Sequence, residues 1–533
     1  MRRLGSLARG LACAVVAAAL LGPGAAAPAG AQEKVLRFVP HADLKNLDPI
    51  WTTALITLNH GYMVYDTLFA LDEDLQPQPQ MVGDWSVSDD GLTYSFTLRD
   101  GLRFHDGEPV TTADVIASLR RWAARDVMGQ KIMEYTDSLE AVDDGTFKLV
   151  LNRPYGLVID ALAKPTAVTP LIMREEEART DPYEQVQEVI GSGPFKFVKE
   201  EWVPGARVVY VRNEDYVPRD EPPSGLAGGK VVKVDRVEWV IMPDQQTAMS
   251  ALLAGEVDIY ENPPLDFMAI FEGDPDIETR VLDSLGTTGY ARPNFLHPPF
   301  NDVRARRALL HAVDQEAYLR AAVGDERYFA FCKSYFVCGS PLETLAGAEP
   351  YMEQDLDRAR ELVREAGFEG HKVVVLDPTD NQILHNITLV TVDNLRRIGF
   401  DVDVQAMDWA TLTSRRPVKE PPERGGWNLF HTWSLGIELS SPAASFPINT
   451  TCDGSNWFGW PCDEGLEELR VAWTLATEPE EKKRLAEELH AKLYEFVPYV
   501  PAGQWFAPIA YRTEVEGILE GPRFVLWNIE KKG

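Results

Sequence analysis

The sequence predicts an α/β chain with a small α+β unit inserted in its first half. Three observations predict it. Residues 73–185 read as two β-hairpins around a helix. The β-rich stretches on either side, Val35–Val39 before and 195–260 after, pair naturally with each other, which makes 73–185 an insertion. After about residue 287 helix and strand patterns alternate, as in α/β domains with a mostly parallel portion. At 533 residues the chain has room for about three domains.

The elements follow in order. Val35–Val39 is a strand stopped by Pro40, Asn46–Pro49 a turn, and Leu55–Phe69 a helix. In Met81–Trp122, Asp89-Asp90-Gly91 punctuates two alternating runs, with Tyr94, Phe96 and Leu98 on one face; Gly91 supplies the positive φ of a hairpin turn. A helix starts at Thr111 or Thr112, with Asp114 in its first turn and Val115, Ile116, Leu119 and Trp122 at helical spacing. A second hairpin spans Leu139–Leu151, turning at Asp143-Asp144-Gly145. Gly191-Ser192-Gly193-Pro194 breaks the chain before strands at Phe195–Glu200, Arg207–Arg212, Val237–Ile241 and Val257–Tyr260, and Asp244 opens a helix ending at Gly255. Further on, helices are expected at Asp302–Val323, Asp355–Gly367, Leu384–Ile398, Glu464–Leu475 and Glu480–Phe496, with strands at Val373–Leu376 and Val402–Ala406.

Bulk properties narrow the function. With 82 Asp and Glu against 52 Lys and Arg the net charge is −30, and no Lys/Arg run exists to build a nucleic-acid groove. Residues 1–31 read as a secretory signal: Arg2, Arg3 and Arg9 precede an apolar run from Leu11 to Leu21, and Ala29-Gly30-Ala31 offers a cleavage site. That run is too short to span a bilayer, and no later segment is apolar enough. Cleavage leaves four cysteines, Cys332, Cys338, Cys452 and Cys462. In an exported chain these point to disulfides, local pairing being the simplest of three connectivities, and their spacing fits no common zinc pattern.

Catalytic motifs are missing. There is no HExxH and no G-x-S-x-G, and Gly225–Val231 only half resembles a phosphate loop. The sequence therefore predicts no enzyme, no cofactor and no metal site. Aromatic rings crowd instead between Trp427 and Cys462, where Trp427, Trp433, Trp457, Phe458 and Trp460 alternate with Gly and Pro without strand or helix periodicity. Rings on a bridged loop suit either a rigid ligand pocket or a plug between domains.

Several motifs together resemble the extracytoplasmic solute-binding proteins of ABC importers, in the family (family 5) of dipeptide, oligopeptide and nickel binders. They are Leu47-Asp48-Pro49, Val64-Tyr65-Asp66-Thr67-Leu68, the Trp85–Trp122 stretch, Gly191–Phe195, Arg212-Asn213-Glu214-Asp215-Tyr216, Gly255-Glu256-Val257-Asp258, and Pro298–Leu309 with Ala312-Val313-Asp314. The resemblance implies the two-lobed periplasmic-binding-protein fold with a hinge, and an additional α+β domain inserted in the first lobe. Lobe I would comprise 32–72, 186–286 and 505–533, the insert 73–185, and the α/β lobe III 287–504, with hinge crossings near 287 and 504. The implied function is capture of a peptide or peptide-sized organic solute in the interlobe cleft of a periplasmic monomer, and delivery to a membrane permease.

Carried residue by residue, the resemblance nominates Trp51, Thr52, Thr53, Tyr290, Arg292 and Trp433 as ligand contacts, and the ring-rich loop adds Trp457 and Phe458. Arg292 would hold a ligand carboxylate or, alternatively, a structural ion pair. The Asp-rich run that meets a peptide amine in relatives is replaced here by Trp433–Pro442, where Glu438 is the available acid. Two other readings stay open: a secreted hydrolase, and a carrier of a metal complex or haem-like ligand using His41, His60 or His431.

Overall fold

A computed structural model describes residues 33–454 and 456–532. The signal segment expected at 1–31 lies outside the described residues. Three sheets organise the chain. The first has seven strands in the spatial order Phe195–Phe197, Arg207–Arg212, Arg236–Val240, Val35–Val39, Ile259–Glu261, Pro508–Arg512, Ile277–Val281. The second has six: Phe329–Ala330, Val500–Trp505, Thr287–Pro293, Leu429–Leu435, Lys372–Pro378, Asp401–Met407. The third, four antiparallel strands at Val82–Val87, Thr93–Leu98, Thr146–Leu151 and Thr136–Ala141, is the double hairpin of the insertion. The chain passes between the first two sheets at 282–286 and again at 506–507. Two short crossings between separately hydrogen-bonded sheets are what a hinge needs.

The insertion forms as its sequence dictates. Phe96 and Phe147 stack 4.9 Å apart across the central strand pair. Helix Thr112–Ala123 lays Val115, Leu119 and Trp122 on the sheet, and Asp114 closes its capping box on Thr111. What seats the insertion on lobe I is an ion pair. Arg121 of that helix grips Asp48 with both terminal nitrogens, at 3.2 and 2.9 Å, and Asp48 also accepts from the backbone of Ile50, Trp51 and Val186. Both side chains are essentially fully buried, and the pair is sustained by further bonds from Arg121 to the Thr180 and Glu184 carbonyls and to Asp48 from backbone N–H groups.

The other motifs are keystones of the same kind. Asp66 accepts from buried Lys230 at 2.7 Å and from the Tyr216 hydroxyl at 2.8 Å. Gly193 donates to the Val64 carbonyl at 2.8 Å, and a Cβ on Gly191 would stand 1.9 Å from that same oxygen, so only glycine fits the turn. Asp258 accepts from the Arg37 backbone and from Lys531.

Tertiary context changes three expected elements. The helix expected to reach Phe69 ends at Val64, because Asp66–Thr67 leave to pair with Leu171–Ile172. The helix expected over 302–323 is two, Val303–Ala312 and Gln315–Ala322, the second capped by Asp314 through the Ala317 N–H. The segment without visible periodicity around Trp433 contains a central strand, Leu429–Leu435, paired along both edges and buried at every position but Trp433 and Leu435. The second sheet is mixed: Lys372–Pro378 runs parallel to both neighbours, while Thr287–Pro293 is antiparallel to both of its own.

The cysteines pair locally, Cys332 with Cys338 and Cys452 with Cys462, with Cα separations of 5.7 and 4.7 Å. No helix of the described residues is long and apolar enough to cross a membrane.

Candidate functional site: the cleft at the lobe crossings

A cavity of about 140 Å³ lies where the two crossings meet the lobes. Helix Leu55–Val64 supplies Leu55 and Asn59, the first sheet Glu261 and Ile509, the crossings Asp283, Gly286 and Ala507, the second lobe Leu435, and the C-terminal segment Arg523 and Phe524. Both sheets' parts of the chain, the two crossings and the C-terminal segment thus contribute to one wall.

Its charges are unevenly matched. Glu261 accepts from the His41 backbone at 2.9 Å and ring Nδ1 at 2.8 Å, and from Asn59 at 3.5 Å. Burial works against charge on His41, but the Glu261 carboxylate outweighs it and holds the imidazole above its ordinary value; reciprocally, His41 keeps Glu261 below its own despite burial. Burial pushes Asp283 up to about 6, against the N–H groups of Leu285 and Gly286 and the charge of Arg523. Burial likewise raises Glu438, which feels Arg523 and Lys164. Arg523 is 7% exposed; its Nε donates to the Pro165 carbonyl at 2.7 Å, while its Nη2 meets no acceptor among the described residues. A guanidinium N–H buried in this way is costly unless something accepts from it. Within the cavity two carboxyls, Glu261 and Asp283, therefore stand against one arginine and a histidine that is already committed to Glu261, and the Glu438 charge also reaches Arg523.

None of the residues nominated from sequence lines this cavity. Trp51 donates from its indole to Tyr183 O at 3.0 Å, and Thr52 Oγ1 accepts from the Ala54 N–H just before the helix that carries Leu55 and Asn59; Thr53 is exposed. Tyr290 is fully buried, its hydroxyl 3.1 Å from Ser434 Oγ and its ring 4.7 Å from that of Tyr499. Arg292 is also fully buried. Its guanidinium donates to the carbonyls of Phe458, Pro447 and Pro498 and stacks on Trp457, so backbone oxygens take the place expected for a carboxylate, and burial lowers it to about 10. Trp457 and Phe458 wrap the Arg416 guanidinium together with Trp409 and Phe430. Trp433, 36% exposed, is the ring of this group most open to a ligand.

His60 and His431 are core residues. Burial lowers each to about 3, and neutral imidazoles bond Tyr210 in one case and Thr388 and Thr391 in the other. Among the described residues no cluster of His, Cys, Asp or Glu has the makings of a metal site. Sequence reasoning missed Asp283 and Arg523. Neither belongs to a motif, and only the chain crossings bring them together.

The profile of bacterial extracellular solute-binding proteins, family 5 middle, matches residues 76–457. This chain belongs to that family. A peptide ABC transporter periplasmic-binding protein of Sinorhizobium fredii, so named with the qualifier "Probable", is 42% identical over 495 residues, covering 92% of each chain. The glutathione-binding protein of Salmonella typhi is 25% identical, with 90% of each covered. In structure, the dipeptide-binding protein of Pseudoalteromonas sp. SM9913 in complex with Met-Leu superimposes with a TM-score of 0.77 over 94% of this chain and all of that one, at 20% identity. The family fold is thus a two-lobed one. As a family 5 member the chain is a solute-binding protein that serves an ABC importer.

Proposed function

We propose that this family 5 protein binds a short peptide, or a peptide-like zwitterion, in the cleft at the crossings. One observation carries the reading: Asp283, Glu261 and Arg523, whose buried Nη2 meets no acceptor among the described residues, line one cavity, and Glu438 adds its charge at Arg523. An ammonium offsets the carboxyl excess, and a carboxylate or carbonyl oxygen accepts from Arg523. Because buried charges cost several kcal/mol unless paired, the site selects ligands carrying both groups. The peptide named for the Sinorhizobium relative supports this class. Arg292 and the rings around Arg416 then shape the second lobe, and Trp433 flanks the ligand.

The same reading takes the protein as a periplasmic monomer, cleaved near Ala31, that captures without turnover and hands its cargo to the permease. The strands of the first and second sheets support lobes at 32–72, 186–286 and 505–533, and at 287–504, with 73–185 as the insert.

A thermal-shift and calorimetric panel of di- and tripeptides tests it. Binding should stabilise the fold by about 2.7 kcal/mol at a hundredfold excess over Kd. Arg523→Gln should weaken every ligand of the panel by about tenfold or more, the loss of a charged hydrogen bond, with Arg523→Lys intermediate. Unchanged affinity in Arg523→Gln would remove the cleft reading.

A further inference from the structure

A second cavity, of about 240 Å³, lies between the insertion and the second lobe. Leu71 and Leu75 form one wall, Met128 of the insertion another, and Ile437, Ala444 and Trp473 of the second lobe the third. Charge sits at its rim, where Asp160, Lys164 and Lys482 stand, the Lys482 ammonium 5.2 Å from the Trp473 ring centre.

This chamber adjoins the charged cleft. Arg523 lines the cleft, and the Pro165 carbonyl that its Nε holds at 2.7 Å belongs to a residue lining the chamber. Leu435 lines the cleft and Ile437 the chamber; two residues of chain span at most about 7 Å. Glu438 senses both Arg523 on one side and Lys164 on the other. Volume also fits: an apolar cavity of roughly 150 Å³ accepts a benzene ring, so this one has room for an aromatic side chain. Trp473 adds a polar requirement. It is 5% exposed, and its indole N–H meets no acceptor among the described residues.

We infer that the chamber is a side-chain subsite of the cleft, built for a large apolar or aromatic group that offers an acceptor to the Trp473 indole. The inference rests on the cleft reading above. It narrows the cargo from any zwitterion to amphipathic peptides, charged at Arg523 and Asp283 and apolar toward Met128, Ile437 and Trp473.

Calorimetry with triglycine and with Phe or Tyr placed at each position of that tripeptide tests it. In the native protein at least one aromatic peptide should bind tenfold or more tighter than triglycine. Ala444→Phe, which fills the chamber, should reduce that preference to within about threefold and leave triglycine unaffected. Trp473→Phe, which keeps the wall and removes the donor, should cost the best Tyr peptide more than its Phe counterpart. Aromatic peptides no better than triglycine, or a preference that survives Ala444→Phe, overturn the subsite while the cleft stands. Triglycine and aromatic peptides alike failing to bind would instead overturn the cleft reading and this inference with it.

Discussion

At the scale of single residues, the polar groups divide into those that build and those that wait for a ligand. Asp48 and Arg121 build. Each satisfies the other, with backbone donors and acceptors taking what remains. Removing one partner strands a buried charge, so Arg121→Ala should lower unfolding stability by about 3–5 kcal/mol in urea melts, and Asp48→Ala by a similar amount. A loss within about 0.5 kcal/mol would show the pair to be ornamental. Asp283 belongs to the second group. Its carboxyl, near 6, faces the Arg523 charge and the Leu285 and Gly286 N–H groups, with the His41–Glu261 pair and Glu438 around the same Arg523. As pH rises from 5 to 7.5, Asp283 gains its negative charge and His41, held above its usual value, begins to lose its positive one. Both changes favour a ligand ammonium, which stays protonated over most of this range. Peptide affinity should therefore rise about tenfold across the window, and Asp283→Asn should flatten most of that rise. An affinity that falls with pH in the native protein would contradict the assignment.

Elements carry the closing contact. The loop after strand Thr146–Leu151 touches the second lobe where helices Glu464–Leu475 and Pro479–Phe496 meet. There a Cβ on Gly156 would lie 2.7 Å from the Ala476 carbonyl, and the Lys482 ammonium donates to Gly156 O at 3.4 Å. The 73–185 stretch therefore contacts the second lobe as well as the first. Gly156→Val should wedge this contact apart. Peptide Kd should rise about tenfold, with the melting temperature of the ligand-free protein within a degree or two, since the loop's own backbone tolerates a side chain. An unchanged Kd would place the insertion outside the closing surface. Arg292 belongs to this scale too: its guanidinium ties Phe458, Pro447 and Pro498, three separate stretches, into one wall behind Trp457.

For the whole molecule, two separately hydrogen-bonded sheets joined by two short crossings predict a hinge whose closed state the ligand selects. A saturating peptide should reduce the radius of gyration measured by small-angle scattering, and Gly156→Val should retain a larger value at the same saturation. Equal radii with and without ligand in the native protein would mean that capture proceeds without closure.

Much of this was legible in the sequence because local chemistry and tertiary structure agree. The hairpin at Asp89-Asp90-Gly91, the capped helix after Thr111 and the glycines at 191 and 193 say which fold forms, since Gly91 takes a positive φ, Asp114 caps its helix, and a Cβ at 191 or 193 would strike the Val64 backbone. The sequence by itself thus determined the family, while local pairing of the cysteines, the simplest of three connectivities, is seen in the structure. It missed the strand Leu429–Leu435, because a strand buried at nearly every position shows no alternation. It did not reveal the cleft, because Glu261, Asp283 and Arg523 are scattered over more than 260 positions and none carries a motif. Only the tertiary structure, by crossing the chain twice between the lobes and returning the C-terminal segment to the first, brings their charges into one cavity, where burial makes each unmatched group cost enough to choose a ligand.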